Sequence, residues 1–320
     1  MKVAILDDYP GAVESLRAYQ KLAKHEVQIF RDHLQGPALA QRLAGFEAVV
    51  LLQQRCPIDA AVLKALPALR FISQTGRNLS HLDVEAATQQ GIVISAGGAG
   101  PPFATAELTW ALILASRRGL VAEANALQRG QWQTQIGAGL AGQNLGIYAF
   151  GRIGSAVARV GRAFGMRVVC WGRQASLARA QAEGFERASA REAFFEEMDV
   201  VSIHLPLSQQ TQGLVGAEDL GRMKRDALLV NTSRAGLIGD AVLAAALDRG
   251  RPGFAAVDVY EHEPIAADHP LLGRPNVLMT PHLGYVERST YEQYFEVAFD
   301  QVNAFAAGAP INLVTASARP

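Results

Sequence analysis

Three polar segments, each directly after an apolar run, contain residue types that suit acid–base chemistry on a carboxylic acid. Arg234 follows the run LLVNTS, Glu263 lies in DVYEHEP and His282 lies in TPHLGY. A guanidinium fork can hold a carboxylate, an imidazole can transfer a proton, and a carboxylate can orient that imidazole. If the apolar runs are parallel strands, all three segments leave at the same edge of a sheet, where ligands bind. Each residue alone has an ordinary structural explanation, but the three together predict a catalytic site.

A glycine-containing turn between a predicted strand and a predicted helix indicates that a dinucleotide is bound. In YAFGRIGSAVARVGRAF we expect the strand to end at Phe150, the turn to span Gly151 to Gly154, and the helix to run from Ser155 to Phe164. The two glycines would let the backbone approach a pyrophosphate and the helix pack closely, while free N–H groups at the helix start face the phosphates. Ala149 replaces the first glycine of the G-x-G-x-x-G pattern and is the smallest possible replacement.

The end of the next predicted strand bears on the choice of cofactor. An acidic residue about 20 positions past the turn would bond the adenosine ribose hydroxyls. Gly172 occupies that place and Arg173 follows it. An arginine without a neighbouring carboxylate can hold a 2′-phosphate, so we expect NAD(P), with NADP(H) admitted or preferred. Alternatively, Arg173 is a solvated loop residue.

Two series of apolar, strand-length runs alternate with helix-length segments and predict an α/β fold with two parallel sheets. The first series is Val3–Leu6, Val27–Phe30, Ala48–Leu52, Phe71–Ser73 and Ile92–Ile94; the second lies near 145–150, 166–171, 198–203, 227–231, 254–258 and 277–279. Predicted helices include Pro57–Leu66, Phe103–Arg118 and a final one over 288–307, which should return to the first domain. The tail from about 313 is expected to fray.

Composition excludes several classes of protein. Lys plus Arg and Asp plus Glu each number 30, so the chain has no electrostatic reason to bind nucleic acid or an anionic membrane. Cys56 and Cys170 are the only cysteines and are expected to be buried thiols, with no disulfide and no metal site. Neither a secretory signal nor a membrane span is recognisable, which predicts a cytoplasmic protein.

The chain resembles the D-isomer-specific 2-hydroxyacid dehydrogenases, which include glyoxylate/hydroxypyruvate reductases and phosphoglycerate dehydrogenases, over nearly its full length. The matching stretches, in the family's order, are ATAELTWALILA, LGIYAFGRIG, VVSIHLPL, LLVNTSRAGLI, AAVDVYEHEP and NVLMTPHLGY. The resemblance implies two doubly wound domains, with a Rossmann dinucleotide-binding domain (99–287) inserted in a flavodoxin-like substrate domain (1–98 and 288–320). It implies hydride transfer between NAD(P) and a small 2-oxo or D-2-hydroxy acid. It also implies that the protein is a homodimer.

The resemblance also assigns roles to individual residues. Arg234 would bind the substrate carboxylate, His282 would be the acid/base and Glu263 its partner. A loop of the first domain, Gly76, Arg77 and Asn78, would meet the same carboxylate, although Arg77-Asn78 is bulkier and more polar than usual. The residues expected to line the cofactor site are Thr105, Gly151, Arg152, Ile153, Gly154, Trp171, Gly172, Arg173, His204, Pro206, Thr211, Thr232, Asp258 and Gly284.

Alternatives remain on the same fold. A non-enzymatic, dinucleotide-sensing binding protein is one, and a dehydrogenase acting on a small anion such as formate or phosphite is another. The complete set of Arg234, Glu263 and His282 favours the hydroxyacid reaction. Formate dehydrogenases of this type lack a glutamate partner for the histidine. The apolar stretch from Phe103 to Leu120, continued through Trp132, is either a dimer surface or simply core.

Overall fold

The computed structural model describes residues 1–98, 100 and 102–314. The chain divides into two compact units, the first formed by Met1–Pro101 with Val286–Pro320 and the second by Pro102–Tyr285. Each unit is built on a parallel sheet, so the predicted α/β fold with two parallel sheets is confirmed. The residue that follows the predicted domain boundary at 98, and tail residues 315–320, lie outside the described residues.

The sheet of the first unit has five parallel strands in the flavodoxin-like order β2-β1-β3-β4-β5. They are β1 (Lys2–Ile5), β2 (Glu26–Ile29), β3 (Ala48–Leu52), β4 (Phe71–Thr75) and β5 (Val93–Gly97). The last two strands continue beyond the predicted ends at 73 and 94 because their buried polar side chains find partners. Gln74 Nε2 of β4, for example, donates to the carbonyl of Gln53 at 2.9 Å, and Ser95 Oγ of β5 donates to the carbonyl of Ile311 at 2.6 Å.

Short helices connect these strands: α1 (Gly36–Leu43), α2 (Ala60–Lys64) and α3 (Val84–Gln89). Helix α2 is shorter than the predicted Pro57–Leu66 because the Asp59 side chain accepts from Val62 N and fixes the first turn. Asp83 caps α3 in the same way through Ala86 N. These caps fix where the connections leave the sheet.

The second unit contains seven parallel strands in the order β12-β11-β10-β9-β6-β7-β8, the Rossmann order with one strand added. They are β6 (Asn144–Tyr148), β7 (Arg167–Trp171), β8 (Glu186–Arg187), β9 (Val200–Ile203), β10 (Leu228–Asn231), β11 (Phe254–Val257) and β12 (Val277–Met279). All six predicted strands are present within a few residues. The two-residue edge strand β8 was not predicted, because its exposed, charged residues give no apolar run.

The helices of the second unit are α4 (Phe103–Arg117), α5 (Leu120–Gln128), α6 (Arg152–Ala163), α7 (Gln174–Ala182), α8 (Arg191–Glu197), α9 (Ala217–Arg222) and α10 (Asp240–Asp248). The predicted helix from Phe103 ends where expected, and Gly119 (φ 59°) separates it from α5. Cys56 of the first unit and Cys170 of the second are buried and unpaired, as predicted. In the part of the chain described, none of the helices has the length and apolar character needed to cross a membrane.

The final helix, α11 (Arg288–Ala306), packs on the sheet of the first unit, as predicted. Phe305 stacks on Phe71 of β4 with ring centroids 4.4 Å apart. The expectation that the chain frays from about residue 313 is wrong for residues 313 and 314. Leu313 bridges Ser95, and Val314 N donates to the carbonyl of Ile94 at 2.9 Å, so the edge of β5 holds this segment.

The turn between β6 and α6 differs in detail from the prediction. Strand β6 ends at Tyr148, two residues early, because Ala149 adopts φ 76°, the left-handed conformation that suits glycine. Helix α6 then begins at Arg152, earlier than the predicted Ser155, with Gly151 as its N-cap. A Cβ at position 154 would lie 2.3 Å from the carbonyl oxygen of Ala149, so glycine is required there. Ala149 thus takes the glycine conformation at the cost of steric strain.

We predict that Ala149→Gly raises the free energy of unfolding by about 0.5–1 kcal/mol. Relief of a left-handed alanine, about 1–2 kcal/mol, exceeds the added entropy of the unfolded chain, about 0.4–1 kcal/mol. The control is Ala178→Gly on the exposed face of α7, which should lower stability by about 1 kcal/mol. Denaturant unfolding of the three proteins measures both changes. Equal losses in the two variants would show that Ala149 is not strained.

Candidate active site

The three predicted catalytic segments leave from adjacent strands. Strands β10, β11 and β12 are neighbours, with Asn231 paired to Val257 and Val257 paired to Met279. The segments that follow these residues therefore begin side by side at one edge of the sheet. This is the arrangement that parallel β-α-β connections impose, and it brings segments far apart in sequence to one place.

His282 and Glu263 form a direct hydrogen bond. The distance from His282 Nδ1 to Glu263 Oε2 is 2.6 Å, and the side chains are 23% and 29% exposed. The other carboxylate oxygen of Glu263 accepts from Tyr260 N at 2.9 Å. An ionised carboxylate only accepts hydrogen bonds, so Nδ1 carries the proton and Nε2 is left to exchange a proton with a ligand.

The electrostatic surroundings keep Glu263 ionised. Burial raises the pKa of this carboxyl, but the hydrogen bond and charge of His282, the N–H of Tyr260 and the charge of Arg234 together lower the pKa below its ordinary value. The pair is thus suited to proton transfer.

Asp258 fixes the backbone that carries His282. Its Oδ1 accepts from Thr280 Oγ1 at 2.6 Å and from Leu283 N at 2.7 Å, and its Oδ2 accepts from Gly284 N at 2.8 Å. His282 itself has φ 52°, a conformation that an L-residue keeps only when its surroundings impose it. Thr280 was not among the predicted site residues, although it stands in the TPHLGY stretch.

Asp258 is fully buried. Burial raises its pKa above the ordinary value, opposed by the hydrogen bonds from Thr280, Leu283 and Gly284 and by the charge of His282. Thr105 Oγ1 closes the network by donating to the carbonyl of Gly284 at 2.8 Å. A side chain at 284 would press against Asp258 and Thr105, so glycine fits there.

Arg234 lies in a segment that its own neighbours hold in place. Asn231 Nδ2 donates to the carbonyl of Arg234 at 3.0 Å, Ser233 Oγ donates to the carbonyl of Ile203 at 2.7 Å, and Arg234 Nη1 donates to the carbonyl of Ser233 at 2.7 Å. The side chain is half-buried, and its positive charge acts on Glu263. The structure therefore associates Arg234 with the His282–Glu263 pair.

Thr232 is buried at the start of the same segment. Its hydroxyl lies 2.8 Å from that of Thr109 in α4, which also donates to the carbonyl of Thr105. Thr109 was not predicted, although it belongs to the ATAELTW stretch that was. A hydrogen bond between two threonines 123 positions apart produces no recognisable pattern in the sequence.

The turn before α6 fits a pyrophosphate. Space beside Gly151 is open to 4 Å, and among the described residues no side chain caps this end of the helix. The first turn, formed by Arg152, Ile153 and Gly154, thus presents N–H groups and the positive end of the helix dipole. Ser176 Oγ accepts from Phe150 N at 2.6 Å and fixes the start of the turn.

The residues predicted to lie on the adenosine side of the cofactor follow β7. Trp171 ends the strand, and its carbonyl accepts from Ala149 N at 2.7 Å, which joins it to the turn before α6. Gly172 has φ 152° and lies against the backbone of Ala149. Arg173 is exposed at the start of α7 and donates to Gln210 Oε1 at 3.2 Å, but pairs with no carboxylate within the described residues.

His204 follows β9 and is not suited to be the acid/base. Burial lowers its pKa to about 4, so the ring is neutral, and Nε2 lies 2.9 Å from Ser202 Oγ. Pro206 comes next on this segment, and its carbonyl accepts from the hydroxyl of buried Thr211 at 2.7 Å. His204 N donates to the carbonyl of Tyr148 at 2.9 Å, so the segment after β9 begins beside the one after β6, the next strand in the sheet.

The loop Gly76-Arg77-Asn78 ends β4 in the first unit. Gly76 has φ 88°, and its N–H donates to the carbonyl of Gly97, so Gly76 shapes the turn and does not offer a free donor. The backbone N–H groups of Arg77 and Asn78 donate to no group in the described ranges. Buried Gln74 donates to the carbonyl of Asn78 at 3.4 Å, and Gln53 packs against Gly76.

No cluster of three His, Cys, Asp or Glu side chains with the spacing of a metal site occurs among residues 1–98, 100 and 102–314.

Comparison with known proteins places the chain in a family. Residues 110–284 match the family model "D-isomer specific 2-hydroxyacid dehydrogenase, NAD binding domain". A glyoxylate reductase of Aeropyrum pernix is 36% identical over 96% of this chain and 93% of its own, and a glycerate dehydrogenase of Methylorubrum extorquens is 32% identical over 91% and 93%. The crystal structure of a phosphoglycerate oxidoreductase from Vibrio cholerae superposes with a TM-score of 0.93 at 44% identity, covering 97% of this chain and 100% of that one. The chain belongs to the D-isomer specific 2-hydroxyacid dehydrogenase family.

Proposed function

We propose that this chain interconverts a small 2-oxo acid and its D-2-hydroxy acid by hydride transfer, with His282 as acid/base, Glu263 as its partner and Arg234 holding the substrate carboxylate. The reaction class is that of the family. The observation that supports these roles is the 2.6 Å hydrogen bond between His282 and ionised Glu263, with the charge of Arg234 acting on the same carboxylate.

In the direction of reduction, Arg234 binds the carboxylate of the 2-oxo acid through charge-assisted hydrogen bonds. His282 Nε2 donates a proton to the carbonyl oxygen as negative charge develops there, and Glu263 stabilises the imidazolium before transfer. A reduced nicotinamide, when bound, supplies the hydride to the α-carbon. Hydride and proton together convert the carbonyl to the hydroxyl of the product.

Residues 99–287 are proposed to bind the cofactor and residues 1–98 with 288–320 the substrate. The pyrophosphate would lie on Gly151, Arg152, Ile153 and Gly154. The other residues proposed to line the cofactor site are Thr105, Trp171, Gly172, Arg173, His204, Pro206, Thr211, Thr232, Asp258 and Gly284. Arg173 has no carboxylate partner among the residues that the structure describes, which supports use of NADP(H) as well as NAD(H). We also propose a cytoplasmic location.

A sensor that binds a dinucleotide without chemistry has no need of an ion-paired histidine. Enzymes that oxidise formate have no need of a glutamate beside it. The His282–Glu263 contact therefore supports the hydroxyacid reaction over both alternatives. The names of the relatives, glyoxylate reductase and glycerate dehydrogenase, support glyoxylate and hydroxypyruvate as first substrates to test.

We predict that the purified protein oxidises NADPH or NADH in the presence of glyoxylate, hydroxypyruvate, pyruvate or 2-oxoisocaproate. His282→Ala should lower kcat/KM by about 10²–10⁴, the usual contribution of an acid catalyst. Arg234→Ala should lower it by about 10–100-fold, the loss of a charged hydrogen bond. The ratio of rates with NADPH and NADH, measured also in Arg173→Ala, reports the cofactor preference.

Arg274→Ala provides the matched control, because Arg274 pairs with Asp248 on the exposed surface. Its activity should equal that of the wild type. Turnover that is unchanged by His282→Ala contradicts the acid/base assignment. Cofactor binding without turnover of any acid favours the sensor.

We propose further that Arg77 binds a second acidic group of the substrate. Its side chain is exposed and makes no hydrogen bond or ion pair to any residue described, although it stands in the loop expected to meet the substrate. Its loop neighbours are held by Gln53 and Gln74, so the loop is well defined. An unpaired guanidinium on such a loop is suited to a carboxylate or phosphate.

A pair of substrates of equal shape tests this assignment. We predict that kcat/KM for 2-oxoglutarate exceeds that for its distal amide by about 10–100-fold, the contribution of one charge-assisted hydrogen bond. In Arg77→Gln the kcat/KM values for the two substrates should become nearly equal. A ratio near one in the wild type, or a ratio that Arg77→Gln leaves unchanged, contradicts the role of Arg77.

We propose that the protein is a homodimer. Large apolar side chains on and after α4 are exposed, with relative exposures of 61% for Phe103, 60% for Leu120, 55% for Leu127, 77% for Trp132 and 101% for Ile136. Exposed apolar groups concentrated on one segment mark an interaction surface, and a second copy of the chain is the partner that the resemblance implies.

Light scattering at micromolar concentration should give the mass of two chains. Introducing a charge with Trp132→Asp and Ile136→Asp should give a monomer, because each carboxylate would be buried in the interface without a partner. Leu272→Asp, at another exposed apolar residue of the same unit, is the control and should remain dimeric. A wild-type mass of one chain contradicts the proposal.

A further inference from the structure

A second hydrogen-bonded cluster lies beside the acid–base pair and contains Asp240, Glu261 and His269. None of these residues was predicted to belong to the site. Asp240 and His269 are nearly buried, with side chains 12% and 9% exposed. His269 Nε2 lies 3.0 Å from Asp240 Oδ2, which also accepts from Glu261 N at 2.9 Å.

Asp240 and Glu261 bind each other's backbone. Asp240 N donates to Glu261 Oε2 at 2.9 Å, and Glu261 N donates to Asp240 Oδ2 at 2.9 Å. Asp240 begins α10, six residues after Arg234, and Glu261 stands two residues before Glu263. This reciprocal pair therefore joins the segment that carries the carboxylate-binding arginine to the segment that carries the catalytic glutamate.

His269 extends the cluster toward the third segment. Its Nδ1 accepts from Leu271 N at 3.3 Å, so Nε2 carries the proton and donates to Asp240. The ring meets that of Tyr260 edge-on, with centroids 5.3 Å apart. The hydroxyl of Tyr260 donates at 2.8 Å to the carbonyl of Thr280, two residues before His282. The same tyrosine donates through its backbone N–H to Glu263.

We propose that Asp240, Glu261 and His269 form a positioning cluster that sets the placement of Arg234 relative to the Glu263–His282 pair. The proposal rests on the proposed function for the roles of those three residues. The cluster touches no substrate and acts only through the segments it joins. Displacement of a catalytic group by about 1 Å can cost up to about 10²-fold in rate, so such a cluster has a measurable effect on catalysis.

The geometry of Asp240 supplies a conservative variant. Both side-chain hydrogen bonds that it accepts end on Oδ2. Asp240→Asn can place its amide oxygen at that position and keep both bonds, whereas Asp240→Ala removes them and leaves Glu261 N and His269 Nε2 without their acceptor. We expect Asp240→Ala to lower kcat/KM for the 2-oxo acid by about 10–100-fold. Asp240→Asn should stay within about threefold of wild type, since its geometry is kept.

A double-mutant cycle distinguishes positioning from general loss of structure. If the cluster acts through the acid–base pair, Asp240→Ala should lower kcat/KM less than about threefold when Glu263→Gln is already present. The dissociation constant of NADPH should be unchanged in every variant, because the cofactor turn lies at the other strands. Asp248→Ala, at the exposed carboxyl end of the same helix, is the control and should retain full activity.

Three results would overturn the proposal. They are full activity of Asp240→Ala, equal losses in Asp240→Ala and Asp240→Asn, and an Asp240→Ala effect of the same size with and without Glu263→Gln. If Asp240→Ala does not fold, the pair His269→Gln and His269→Ala replaces it, since only glutamine restores a side-chain N–H donor. Failure of the proposed function gives a different pattern, in which Glu263→Gln and His282→Ala leave the rate unchanged.

Discussion

The hydrogen bond between His282 Nδ1 and Glu263 Oε2 is the interaction on which the rest of the second unit's site depends. The hydrogen bond requires an ionised carboxylate on a half-buried side chain, and burial raises the pKa of that carboxyl. The imidazole, the N–H of Tyr260 and the charge of Arg234 offset that burial. The charge of Arg234 and the hydrogen bond from His282 thus both act on the carboxylate of Glu263, and removal of either raises the pKa of that carboxyl.

Short segments connect Arg234, Glu263 and His282 to the strands that precede them. Strands β10, β11 and β12 end side by side, and fewer than seven residues separate each catalytic side chain from its strand. Asp258 and Thr105 fix the histidine segment from one side, and the Asp240 cluster joins the arginine and glutamate segments from the other. His282 adopts a left-handed backbone conformation inside the network of Asp258. Strain at functional positions is offset by the surrounding hydrogen bonds.

Much of this organisation could be predicted from the sequence, because apolar runs and their polar ends are local signals. The strands, the final helix and the grouping of Arg234, Glu263 and His282 all follow from runs of apolar residues and from the rule that ligands bind at the carboxyl ends of parallel strands. The bounds of α6 could not be predicted correctly, since they depend on the φ angle of Ala149. The pairing of Leu313 and Val314 with β5 was missed because two apolar residues at the start of a polar tail are too short a run to indicate a partner. Asp240, Thr109 and Thr280 act through contacts distant in sequence, which leave no periodic pattern.

The most direct test of the central interaction is the nuclear magnetic resonance of the imidazole protons. The structure predicts an Nδ1 proton far downfield of the amide region that is lost in both Glu263→Ala and His282→Gln and retained in His269→Gln. It should also be retained in His33→Gln, the control for the other Nδ1–carboxylate contact, which joins His33 to Asp7 at 2.9 Å. Nitrogen shifts should assign it to the Nδ1 of His282. A resonance with that pattern establishes that the carboxylate of Glu263 holds the catalytic imidazole in solution. Its absence, or an imidazole protonated only on Nε2, would contradict the account.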